Sequence, residues 1–198
     1  MRRYGLKIFL LSVLLLGLVS SGALAGSEPR VAISEVAWSG TQASWADEWV
    51  ELKNNTDHKI DLSGWSLSWE ETKISLGKAE NDTISVNNTE LKPGGVFLLE
   101  RTDDETVATV KADLIYKRSL SNSGEKLVLK DGAGKTVDVV DGSKGWMAGT
   151  SCDGDPGYGS MELVAGKWET HKQKGDQNDG AGNAIFGSPG SLPEPESE

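Results

Sequence analysis

The side chains with the most chemical potential stand around one tryptophan. Asp47, Glu48 and Glu51 flank Trp49 along a short β-type run. Carboxylates beside an aromatic ring suit a glycosidase pair or a sugar platform. Successive strand residues point to opposite faces, so only Asp47 and Glu51 share a side with Trp49. Spacing along the chain does not set the distance between two carboxylates. The plainer reading is a solvated acidic face, with Trp49 in a second layer of packing. Trp45, in the Thr41–Ala46 loop, is the candidate for an exposed aromatic contact with a protein or glycan.

Calcium is the best metal candidate. Asp153-Gly154-Asp155 and Asp176-Gln177-Asn178-Asp179-Gly180 place oxygen ligands near glycines. Asp153, Asp155, Asp176 and Asn178 are the ligands to test. The second run lacks the spacing and the distant Glu of an EF-hand loop, so an ordinary loop is the default. One Cys and two scattered histidines, His58 and His171, give no zinc spacing. Neither histidine sits beside a nucleophile-elbow pattern, so no catalytic residue is assigned. No organic cofactor is implied. Asn54, Asn81 and Asn87 each head an Asn-x-Thr sequon, open to sugars if the host glycosylates exported proteins.

Export itself is legible. Arg2, Arg3 and Lys7 precede a run from Ile8 to Val19 that is apolar except for Ser12 and Gly17. Ala23-Leu24-Ala25 then offers a small-x-small cleavage site, which predicts a cut between Ala25 and Gly26. The run is short for a membrane span, which takes about 20 residues. The mature chain is expected outside the cytoplasm, secreted or in the periplasm. It keeps 17 Lys and Arg against 30 Asp and Glu, a net charge of −13. Such an acidic surface disfavours nucleic acid and anionic membrane, whose phosphates recruit Lys and Arg. The lone Cys152 allows no internal disulfide, so a hydrophobic core must hold the fold. A small, mostly buried thiol is expected there.

The elements that must position these residues are strands. Alternation recurs and helical periodicity is missing beyond the leader. Candidate strands run over 31–38, 47–54, 65–69, 74–76, 83–86, 96–99 and 114–116. Two hairpins follow, over 126–140 around Asp131-Gly132-Ala133-Gly134 and over 161–170 around Gly166. Trp65, Leu67 and Trp69 alternate with Ser66, Ser68 and Glu70, an inside–outside pattern. Val96-Phe97-Leu98-Leu99 is apolar throughout, as a strand covered on both faces would be. Residues 171–187 read as a loop ordered by contact or partly disordered, and 193–198 as a flexible Pro/Glu tail. One domain over 26–192 is expected, its core over about 30–170. Its predicted class is an all-β sandwich.

The stretch from Ile33 to Leu67 resembles the opening of the lamin-tail domain family. The residues that carry the likeness are Glu35-Val36, Trp38, Gly40, Asp47-Glu48-Trp49-Val50-Glu51-Leu52, Asn54 and Asp61-Leu62-Ser63-Gly64-Trp65. The turns Leu91–Val96 and Leu120–Glu125, and Ser188-Pro189-Gly190 near the end, continue it. The resemblance implies an immunoglobulin-like β-sandwich and, in prokaryotes, a secreted or surface module. It implies no shared reaction. Gly64 suits a turn with positive φ, and Trp65 should pin one sheet to the other. The function expected is a non-catalytic binding or structural module at the cell surface or in the periplasm. The runners-up are a hydrolase or hydrolase accessory acting on an extracellular polymer, and a calcium-dependent adhesion module.

Overall fold

The computed structural model describes residues 28–191. The predicted leader, its Ala25–Gly26 cleavage point and the tail over 193–198 lie outside the described residues. Thirteen strands occur in chain order. They are β1 (Val31–Ala37), β2 (Trp49–Asn54), β3 (Ile60–Asp61), β4 (Ser66–Trp69), β5 (Thr72–Ser75), β6 (Thr83–Val86) and β7 (Glu90–Leu91). Then come β8 (Val96–Arg101), β9 (Leu114–Tyr116), β10 (Lys126–Lys130), β11 (Thr136–Asp141), β12 (Met161–Val164) and β13 (Lys167–Thr170). Only the two-residue β3 and β7 went without a signal in the alternation. No helix among the described residues is long and apolar enough to cross a membrane.

The strands build an immunoglobulin-like sandwich. A seven-stranded sheet runs β13-β12-β1-β2-β8-β9-β6 and a four-stranded sheet runs β11-β10-β4-β5. The short β3–β7 pair is separate. All pairings are antiparallel except that of β8 with β9. The main core lies between the two large sheets. Val50, Leu52, Phe97 and Leu99 of one meet Trp65, Leu67, Trp69, Leu127 and Leu129, on or beside the other. Trp69 and Tyr116 meet edge-on, with ring centroids 5.8 Å apart, and Trp38 stacks on Trp146 at 6.3 Å. The predicted role of Trp65 as a pin holds: it is buried in this core, and the Arg30 guanidinium lies 4.7 Å from its ring centre.

A second apolar layer covers the other face of the large sheet. Ala37, Trp49 and Leu98 pack there against Val107 and Ile185, with Val110 beside them. This explains the continuous apolar run in β8: Phe97 and Leu99 face one core and Leu98 the other. A register shift in β1 between Ile33 and Glu35 sets what this layer receives. Val31, Ile33 and Val36 all point into the main core, which strict alternation forbids. The irregularity reverses the strand's faces after Ile33, as a β-bulge does. Glu35 and Ala37 are thereby turned outward, onto the Trp49 face.

Residues 171–187 are ordered by contact. Gly175 donates to the Ile185 carbonyl, Ile185 to Gln177, and Ser160 to Phe186, at 2.8–3.0 Å. The packed structure therefore continues to Gly190, past the expected core limit near residue 170. Cys152 departs from expectation. It is exposed, on the connection between β11 and β12 and outside both apolar clusters.

Candidate binding surface

Trp45 is 72% exposed, the most exposed of the large hydrophobic side chains described. Its loop is nevertheless tightly bonded. Gly40 has φ +84°, and a Cβ there would come within 2.5 Å of the Ser44 carbonyl oxygen. Only glycine lets the chain fold back this closely. The Thr41 hydroxyl donates to Asp47 at 2.7 Å and accepts from the amides of Ala43 and Ser44. Ala43 N–H also donates to buried Asp179 at 3.0 Å. The Arg101 guanidinium lies 5.1 Å from the centre of the Trp45 ring, a cation–π distance. Glu48 holds Arg101 there through an ion pair of 3.1 Å, and its other oxygen accepts the Leu120 amide at 2.7 Å. Burial raises Glu48 to a pKa of about 7 despite that pairing. Trp45 is thus an aromatic ring displayed on a fixed support.

The other residues of the predicted acidic face lie inside. Trp49 and Glu51 are buried, so that face is not solvated. The reason is the second layer, which composition alone did not announce. Trp49 does occupy a second layer of packing, as the plainer reading expects. Asp47 is half-buried, and burial raises its pKa.

Three glutamates line up across this covered face. Glu162 of β12 pairs with Glu35 of β1, and Glu35 pairs with Glu51 of β2. All three are buried. The closing Ser188-Pro189-Gly190 element lies over them. Ser188 N–H donates to Glu35 at 3.1 Å, the Ser188 hydroxyl to Glu162 at 2.7 Å, and Gly190 N–H to Glu51 at 2.8 Å. His171 Nδ1 stands 2.9 Å from Glu162, which raises the histidine's pKa through that hydrogen bond. Burial first, and the Glu162 charge second, push Glu35 up to about 8. Glu51 is raised well above its usual range by burial and by Glu35. The Ser188–Gly190 segment thus covers all three carboxyls.

The remaining predicted sites separate. Asp153, Asp155 and Asp176 are exposed and Asn178 is half-buried. Among the described residues no three His, Cys, Asp or Glu side chains are grouped to hold a metal ion. The inward-facing member of that acidic run is Asp179. It accepts the amides of Ala181 and Asn183 as well as Ala43, tying the C-terminal loop to the Trp45 loop. Its only sequence signal was the Asp-Gly turn dipeptide. His58 is exposed beside Asp57.

The structural motif residues have clear roles. Asn54 is buried; its side-chain amide donates to the carbonyls of His58, Leu91 and Lys92, and its oxygen accepts from Thr56. A sugar on that nitrogen is incompatible with this packing, whereas Asn81 and Asn87 are exposed. Gly64 has φ +81°, as its turn requires. Trp38 donates its indole N–H to the Ala148 carbonyl at 3.0 Å.

The sequence matches no curated protein. Residues 25–143, more than half of the chain, match the family model described as Lamin Tail Domain. That match spans the opening motif, the Trp45 loop and the hairpin of β10 and β11. The chain belongs to the lamin tail domain family.

Proposed function

We propose that this domain is an exported, non-catalytic binding module of the cell surface or periplasm, and that it grips a protein or glycan partner with Trp45. The observation that carries the reading is the displayed indole: 72% exposed, on a loop fixed by Gly40, Thr41, Asp47 and Asp179. A ring of this size gains much from being covered and loses little entropy when its support is already rigid. Arg101, paired to Glu48, backs the ring from beneath. The family supports a module and not a reaction, and the carboxylates that do gather lie beneath Ser188–Gly190.

The test is retention on cellulose, chitin and purified cell-wall glycan, together with a pull-down from envelope protein. Wild type is compared with Trp45→Ala. The expected result is binding by wild type to one of these and a loss of about tenfold or more in the variant, at unchanged melting temperature. Equal retention of both proteins would move the site elsewhere. Hydrolysis of any of these polymers without stable binding would favour the enzyme. N-terminal sequencing of secreted material beginning at Gly26 supports cleavage after Ala25; a start at Met1 refutes it.

A further inference from the structure

The outer face of the four-stranded sheet holds a groove of about 410 Å³. Ser66 and Ser68 form its floor, with Lys73 and Lys130 on its sides. Alternation puts them there: Leu67, Trp69 and Leu129 point into the core, so their strand neighbours point out. Ser66 pairs with Lys130 on β10, and Ser68 pairs with Lys73 on β5. β4 lies between, so the two lysines are set diagonally, their backbones about 12 Å apart by strand spacing and rise. The groove is closed at one end by two turns. A Cβ on Gly64 would already lie 3.6 Å from Gly132 Cα.

The charge in this groove is uncancelled. Among the described residues neither lysine takes part in an ion pair. The one acid on its wall, Asp131, is committed elsewhere. One of its oxygens binds Arg30 at 2.8 Å, and the other accepts the amides of Ala133 and Lys135 at 3.0 Å. A positive groove on a chain of net charge −10 steers an anion to this face and away from the rest.

We propose that this groove binds an extended, carboxylate-bearing polysaccharide, with Lys73 and Lys130 each meeting a separate anionic group across the serine floor. The volume falls within the usual range for ligand sites. No large apolar side chain lines the groove, so it offers a helix no anchor, and a sheet face cannot accept an added strand as an edge can. Hydroxyls between two point charges suit a chain of hydroxyls and spaced carboxylates. The site lies at the opposite end of β1 from the Trp45 loop and does not depend on it, for Asp131 binds Arg30 just before β1 while Trp45 follows its far end.

The experiment is calorimetric titration of the full exported chain with oligogalacturonate. A neutral malto-oligosaccharide of equal length and a poly-glutamate peptide serve as comparisons. Oligogalacturonate is expected to bind saturably, more weakly as salt rises. The double variant Lys73→Gln, Lys130→Gln should lose about tenfold or more in affinity. Lys73→Arg, Lys130→Arg should retain binding. Melting curves of every variant should match wild type. The proposal is overturned by absent binding, by equal binding of the neutral chain or the peptide, or by unchanged affinity in the glutamine variant.

Discussion

Glu35 and Glu162 are direct partners across β1 and β12, and both are buried. Like charges in that relation destabilise a sheet. Two things permit it. Burial and the neighbouring Glu162 push Glu35 up to about 8, which favours its neutral form. Glu162 has His171 at 2.9 Å to balance it. The covering segment then supplies hydrogen bonds to both.

The pH dependence of stability follows. Burial raises Glu35 and Glu100 to about 8 and Glu48 to about 7. His171 is raised too. In each case the folded state holds the proton more tightly than the unfolded chain. The stabilisation is complete below the unfolded values and is lost as pH rises through the folded ones. Each buried carboxyl removes about 1.4 kcal/mol per pH unit between its two pKa values. Melting temperature should fall steadily from pH 5 to about 8. Glu35→Gln, which is neutral throughout, should flatten the curve. A melting temperature that rises over this range contradicts the scheme.

Gly187 governs the covering segment. A Cβ there would meet Glu35 Oε1 at 2.6 Å and Trp49 Cζ2 at 2.8 Å. Gly187→Ala should cost about 1–3 kcal/mol, the range of overpacking a filled core. Limited proteolysis should cut first within 171–191 in the variant. Cleavage no faster than in wild type would show that the segment is not seated as described.

Trp65 joins the two sheets. It is 5% exposed and belongs to the main core. Trp65→Ala should lower unfolding free energy by about 3–5 kcal/mol in urea titration. A variant as stable as wild type would place the ring outside the core.

Asn54 bonds three carbonyls from one buried amide. Asn54→Ala removes those bonds and the acceptor of the Thr56 amide, at a cost of about 1–3 kcal/mol. In a glycosylating host, peptide mapping should find sugar at Asn81 or Asn87 and none at Asn54 in folded protein. Sugar at Asn54 would refute the packing.

Cys152 should react with a thiol reagent in the folded state as fast as a small free thiol, because it is exposed. Reaction that waits for unfolding would return it to the interior.

Much of this molecule could be read from residue order. Trp65, Leu67 and Trp69 alternate with polar neighbours, and that period alone chooses strand and inward face. Asp131-Gly132-Ala133-Gly134 dictates its hairpin, and Gly64 its turn, because few other residues take those backbone angles. The family's opening motif carries the sandwich. These are local matters, set over a few residues by sterics and by the period of apolar side chains.

The second layer could not be read this way. Glu35, Glu51 and Glu162 are far apart in sequence, and carboxylates are ordinarily solvated. Their burial needs the register shift after Ile33, which reverses the faces of β1, and a cover delivered by Ser188–Gly190. The same holds for Asp179 reaching Ala43, and for Lys73 and Lys130 flanking one groove across β4. The order of residues chose the strands and their inner faces. Only the assembled sheets decided which charges became neighbours, because strand pairing and loop cover join residues that no sequence period relates.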